Sequence, residues 1–171
     1  MIKKILSLVA VFAILLSLAA CAPEETEYGY AEIRIGLDDS FSEHDSDGVY
    51  DVAYSDGRIV VGIIRMSFAV SEADGVSATM SPRRFAEYYK GRALEGISVS
   101  ETVEDGDVVY YTYELDALLG ETYTYFATFF KTPYAYFVIT YILPSEEFGR
   151  NGFDSVLSYA HTTRVDLSGV S

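Results

Sequence analysis

Val108-Val109-Tyr110-Tyr111, Tyr123-Thr124-Tyr125-Phe126 and Tyr136-Phe137-Val138-Ile139 fall inside one stretch, 107–143, and its reading decides the fold. Aromatic and β-branched residues fit a pleated, half-buried surface. The spacing predicts three strands over 107–115, 121–131 and 134–143. The joins, Leu119-Gly120 and Thr132-Pro133, are too short for a parallel crossover, so the stretch reads as an antiparallel meander. Upstream, Ile33, Ile35 and Leu37 alternate with Glu32, Arg34 and Gly36 as a half-buried strand over 31–37. Strands over 49–55 and 58–68 flank the hairpin signal Asp56-Gly57. Ile59-Val60-Val61-Gly62-Ile63-Ile64 is apolar on both faces, the pattern of a central strand covered on both sides.

Two helices accompany the strands. Ser81-Pro82 supplies an N-cap and a first-turn proline, and Phe85, Tyr88, Tyr89 and Ala93 follow at helical spacing as far as Gly96. A strand over 97–104 leads through Asp105-Gly106 into the meander. After it, Pro144-Ser145-Glu146-Glu147 opens a last helix with an apolar stripe of Phe148, Phe153, Val156, Leu157 and Ala160, weakened early by Gly149 and Gly152. Arg164-Val165-Asp166 reads as a short closing edge. The expected fold is α/β (α+β): an antiparallel six- to seven-stranded sheet with helices on its faces, an αβα sandwich forming one domain over 31–167.

The N-terminus has a different composition. Met1-Ile2-Lys3-Lys4 is a cationic opening, residues 5–18 are apolar apart from Ser7 and Ser17, and Leu18-Ala19-Ala20-Cys21 follows. That order is the layout of a secretory signal, and the apolar run stops short of the ~20 residues that span a bilayer. Leu18-Ala19-Ala20-Cys21 resembles the bacterial lipobox, Leu-Ala/Ser-Gly/Ala-Cys, at all four places. The resemblance implies a signal peptide over 1–20 and a diacylglyceryl group on Cys21. It further implies an acidic tether over 21–30 and a domain held at the extracytoplasmic face of the cell membrane through lipidated Cys21. Cys21 is the sole cysteine, so the domain gains nothing from disulfides. All 26 acidic residues follow it, and the chain carries a formal net charge of −14. Such a surface repels nucleic acid and anionic headgroups alike, so no nucleic-acid partner is expected.

The last third of the chain carries a second resemblance. A strand ending in Lys131-Thr132, the strand Tyr136-Phe137-Val138-Ile139-Thr140-Tyr141, then Pro144-Ser145-Glu146-Glu147-Phe148 and a helix ending near Thr163-Arg164-Val165 resemble PsbP-like proteins. The resemblance implies an αβα sandwich serving as a binding or assembly module without a shared active site. Photosystem members of that superfamily bind a membrane complex and help to retain calcium and chloride, but their binding residues do not map onto this chain.

Chemistry-bearing residues are sparse. Nucleophilic catalysis needs a nucleophile beside a base, and the chain has two histidines, His44 and His161, no Gly-x-Ser-x-Gly elbow, and a cysteine reserved for lipid. No enzyme activity is expected. His161, near the end of the last helix, reads as a partner for the helix dipole. Asp38, Asp39, Asp45 and Asp47 sit in an acidic loop whose oxygens suit calcium, although Asp45-x-Asp47-Gly48 departs from EF-hand spacing and a solvated loop is favoured. No other cofactor is expected. Arg83, Arg84, Lys90 and Arg92 give the first helix a cationic face for an anionic partner or for the protein's own acidic loops, a solvated face being the simpler reading. Fifteen tyrosines without a tryptophan suit sheet-face packing, or else a ligand groove; Tyr111 and Tyr113 share one face of their strand, as do Tyr123 and Tyr125 of theirs, and whether the two faces coincide depends on a register the sequence does not fix. The expected function is a lipid-anchored, non-catalytic binding or assembly protein with an extracytoplasmic protein partner. The alternative is a lipoprotein that captures a small ligand or cation in a Tyr-lined groove; an exported hydrolase ranks last.

Overall fold

The computed structural model describes residues 25–46, 48–117 and 120–168. The signal segment, Cys21 and Asp47 lie outside the described residues. The elements run β1 (Glu25–Tyr30), β2 (Ile33–Asp38), β3 (Ser42–His44), β4 (Val52–Ser55) and β5 (Val60–Ser67), then helix α1 (Pro82–Ala93). They continue through β6 (Val103–Asp105), β7 (Val108–Asp116), β8 (Thr122–Lys131), β9 (Ala135–Pro144), helix α2 (Phe153–Thr162) and β10 (Arg164–Val165). Among the described residues no helix is long and apolar enough to cross a membrane.

The meander is present as β7, β8 and β9, each within a residue or two of its expected bounds. It forms the larger part of a seven-stranded antiparallel sheet in the order β3-β4-β5-β9-β8-β7-β6. β9 lies at the centre and is buried along nearly its whole length, as a strand covered on both faces should be. Ser81 caps α1, its hydroxyl accepting from the Arg84 N–H at 3.2 Å, and Pro82 takes the first helical position.

Several segments differ from the sequence reading, among them Ser42–His44 of the acidic loop, which pairs with β4 as an edge strand, and the strand expected from residue 49, which begins at Val52. Residues Glu25–Tyr30, read as part of a polar tether, pair with β2, and β2 also pairs with β10, so that a separate three-stranded sheet β1-β2-β10 forms. The cause is alternation: Tyr28 packs against Tyr54 with ring centroids 4.9 Å apart and donates a hydrogen bond to the Phe41 carbonyl at 2.6 Å. The strand expected over 97–104 is reduced to Val103–Asp105 and a lone bridge between Val99 and Tyr113, because Ser100 offers its hydroxyl to the edge of β7 in place of a regular ladder. The last helix opens with a turn at Ser145–Glu147 and a π turn at Phe148–Gly152 before α2 begins. At Gly152 an added Cβ would stand 2.5 Å from the Leu143 side chain, so that turn packs on β9 only because the residue is glycine.

The two faces of the large sheet are covered differently. One packs Val61, Ile63, Phe126, Ile139 and Tyr141 against Ile33, Ile35 and Leu37 of β2 and Val156 and Ala160 of α2. A sheet and a helix thus share the layer that the sequence reading assigned to helix alone. The hairpin between β1 and β2 also carries Glu32, 1 % exposed, whose carboxylate accepts two hydrogen bonds from Arg65 of β5 at 2.6 and 2.8 Å. Arg65, itself partly exposed, holds the buried Glu32 carboxyl below its ordinary pKa, and the pair ties the small sheet to the large one. The opposite face packs Val109, Tyr111, Phe129, Tyr136 and Val138 against Phe85 and Ala86 of α1.

Candidate functional site: a tyrosine-lined groove

α1 has twelve residues and so a length of about 18 Å. It packs on β7 and β8, whereas seven strands ~4.8 Å apart span about 29 Å, so part of the sheet face lies beyond the helix. The aromatic contacts of α1 hold it over one end. Phe85 stacks on Tyr136 at 4.3 Å and meets Phe129 edge-on at 5.9 Å. Beyond Tyr89 the sheet face is open, and a groove of about 450 Å³ lies between α1 and the loop carrying Asp45 and Tyr50.

Strand register explains the groove's shape. Directly opposed residues lie on the same face. One rung runs Ala53, Gly62, Thr140, Ala127 across four strands, ending at Tyr111 on β7. The next rung runs Val60, Ile142, Tyr125, Tyr113. Small side chains along the first rung make a trough, and larger ones along the second make its wall. Tyr113 and Tyr125 stack at 4.9 Å with 14° between their planes.

Tyr50 enters this trough from outside the sheet. Its ring lies on Gly62, where an added Cβ would stand 2.5 Å from two ring atoms and 2.6 Å from a third. Only glycine permits that approach. Burial pushes the Tyr50 phenol up to about 12, the Tyr125 and Tyr89 phenols push the same way, and the Thr140 hydroxyl opposes them. Burial likewise raises Tyr89, Tyr111, Tyr113 and Tyr125, so all five phenols are neutral at physiological pH. The Tyr111 hydroxyl is buried without a hydrogen-bond partner, and among the described residues those of Tyr89, Tyr113 and Tyr125 have no protein partner either. Four phenol hydroxyls at or beside one groove are therefore uncommitted.

The residues singled out from sequence are dispersed. Asp38 accepts from the Tyr159 hydroxyl at 2.5 Å on the far face, and Asp39 is exposed. Asp45 lines the groove rim with His44, and Asp51 accepts from the Arg65 N–H at 2.6 Å. Among the described residues no three metal-ligating side chains come together. On α1, Arg83 pairs with Glu104 at 3.4 Å and Arg92 with Asp74 at 3.8 Å, while Lys90 donates to the Ser100 carbonyl at 2.7 Å. Arg84 is exposed. Three of the four cations thus have internal partners, and exposed pairs of this kind contribute about 0–1 kcal/mol each. His161 meets Asp105 at 3.2 Å, and no Ser or Thr hydroxyl bonds to either histidine among the described residues.

Tyr111, Tyr113, Tyr123 and Tyr125 do share a face, since Tyr113 opposes Tyr125 and Leu115 opposes Tyr123. Sequence reasoning placed the groove's wall on these strands but missed Tyr50, Tyr89 and the small-residue rung. Gly62 inside an apolar strand was the available signal, because glycine there marks a close approach by another group.

The fold has solved counterparts. The chain is similar to CyanoP, the cyanobacterial PsbP of Synechocystis sp. PCC 6803, with a TM-score of 0.52 and 14% identity, covering 85% of this chain and 95% of that one. The fold is PsbP-like. A weaker likeness, TM-score 0.46 and 12% identity over 83% of this chain and 90% of that one, is to LpqN, a protein involved in cell envelope biogenesis of Mycobacterium tuberculosis. No family model matches the chain, and no curated protein matches it. At such identities the PsbP-like likeness speaks for architecture, and function has to be argued from the groove itself.

Proposed function

We propose that this PsbP-like domain is a non-catalytic binding protein of the bacterial cell surface, anchored through lipidated Cys21, and that its tyrosine groove holds a small ligand. The observation that carries the reading is the concavity over Ala53, Thr140 and Ala127, lined by the rings of Tyr50, Tyr89, Tyr113 and Tyr125. The groove is concave and mainly apolar, with a few converging polar groups, as small-molecule sites are. Docking through the α1 cations is less favoured, because Arg83, Lys90 and Arg92 are engaged within the chain.

The test is to extract the full-length protein from membranes in mild detergent and analyse released small molecules by mass spectrometry. The expected result is one molecule retained by the wild type and lost from a folded Tyr113→Leu/Tyr125→Leu variant. The same molecules on both proteins would overturn the groove as a binding site. Anchorage has its own readout: Cys21→Ser is expected to remove the lipid mass and release the domain from membranes, and a variant still carrying lipid would refute that part.

A further inference from the structure

We infer that the groove selects an organic cation with an apolar skirt, of which the trimethylammonium group is the type. The inference rests on the ligand-binding reading above and narrows it to a chemical class. Four rings, Tyr50, Tyr89, Tyr113 and Tyr125, line one concavity, and neither lysine nor arginine lines it with them. The face of a phenol ring and the lone pairs of its oxygen both present negative charge, so a cation among several such rings is attracted from more than one direction. A methylated ammonium suits such a site because its charge is spread over methyl groups that shed water at little cost and fit a trough of small residues.

Other ligand classes fit less well. An anion would meet the rim carboxylate Asp45 and neutral phenols, on a chain with a net charge of −14. A glycan site draws on bidentate side chains to read hydroxyl pairs, and apart from Asp45 the lining has no carboxylate, amide or guanidinium. An acyl chain carries no charge for the ring faces to attract. The chain also shows the interaction twice on the same sheet face: the Lys90 ammonium sits 5.8 Å from the Tyr111 ring centre, and that of Lys131 sits 5.8 Å from Tyr136 and 6.0 Å from Phe68. Lys90 is held against Tyr111 by the Ser100 carbonyl, which leaves the second-rung rings to a ligand. The acidic surface draws cations toward the groove at low ionic strength.

Calorimetry on the full chain in detergent tests this with choline and its uncharged isostere 3,3-dimethylbutanol, which has the same shape without the charge. Choline is expected to bind at least tenfold more tightly than the isostere, and less tightly as salt is raised. Tyr125→Phe, which keeps the ring, is expected to retain choline affinity. Tyr125→Leu is expected to weaken it roughly 2- to 30-fold, the range one cation–π contact is worth. Tyr113→Leu provides a second reading if the first variant folds poorly, with circular dichroism as the check. Equal affinity for choline and the isostere would overturn the cation assignment while leaving a ligand-binding groove in place. No heat with either probe would also overturn it, and the mass-spectrometric experiment then decides separately whether the groove holds anything.

Discussion

The two faces of the large sheet are made from similar residues and end in different states. On the closed face, β2 and α2 together lay Ile33, Ile35, Leu37, Val156 and Ala160 over the central strands, and all are fully buried. On the other face, α1 and the segment carrying Phe68, Val76 and Met80 cover Tyr111, Phe129 and Tyr136, and leave Tyr113 and Tyr125 half-buried at the groove. Tyrosine suits a surface that is half covered, because the ring packs and the hydroxyl reaches water or a ligand. Exposure on the second face therefore follows from how few elements lie above it, and the side chains there match that exposure.

The comparison is broken most severely at the closed face. Phe126 stacks on Tyr110 at 4.7 Å and meets Phe153 edge-on at 6.0 Å, so Phe126→Ala is expected to cost about 3–5 kcal/mol. Urea unfolding with an unchanged slope would show it, and a loss under about 1 kcal/mol would mean that this face is not the tighter one. Next comes the link between the layers. Glu32→Gln leaves Arg65 with a neutral partner and is expected to cost about 2–3 kcal/mol near pH 7, less than for a fully buried pair because the guanidinium is partly exposed. The Glu32 pKa is depressed in the folded state, so its contribution is present above the ordinary value of 4.5 and is lost as pH falls through the folded value. The stability gap between wild type and variant should therefore narrow in acid, and a gap independent of pH would refute the assignment.

At the open face the effects shrink. Gly62→Ala places a methyl group into the Tyr50 ring and is expected to cost about 1–3 kcal/mol as overpacking. It should also expel Tyr50, which ultraviolet titration would register as one phenol ionising nearer pH 10 than pH 12. Unchanged titration would mean that Tyr50 stays in the trough by another route. The smallest effect belongs to Tyr125→Phe, whose lost hydroxyl has no protein partner; stability should move by no more than about 0.5 kcal/mol, as read by thermal melting.

The meander, its antiparallel pairing and the cap of α1 were legible in the sequence because each depends on neighbours in the chain: alternation, short joins, and Ser81 beside Pro82. The small sheet was legible only in part: 31–37 and the edge at Arg164-Val165-Asp166 could be read, but their pairing joins residues more than a hundred apart, and β1 read as tether. The groove was half legible. Tyr113 and Tyr125 were visible as sheet-face residues, but their meeting depends on the register of β7 against β8, and Tyr50, read as part of a strand over 49–55, lies before β4 begins at Val52 and turns its ring onto Gly62. The α1 cations illustrate the same limit, since Arg83 finds Glu104 only after the chain has folded back.

β1 has a consequence for how the domain would ride on a membrane. Glu25 stands in a ladder opposite Asp38, so in sequence only residues 22–24 separate the proposed lipid site, Cys21, from the first strand. Three extended residues reach about 11 Å. A mooring that short has little slack, so the domain would sit at the bilayer in a narrow range of attitudes. β1 lies with the small sheet over the closed face, and the tyrosine groove opens on the other side of the large one. Rope and mouth are thus on opposite sides of the hull, and a lipid on Cys21, as proposed, would leave the groove's entrance clear.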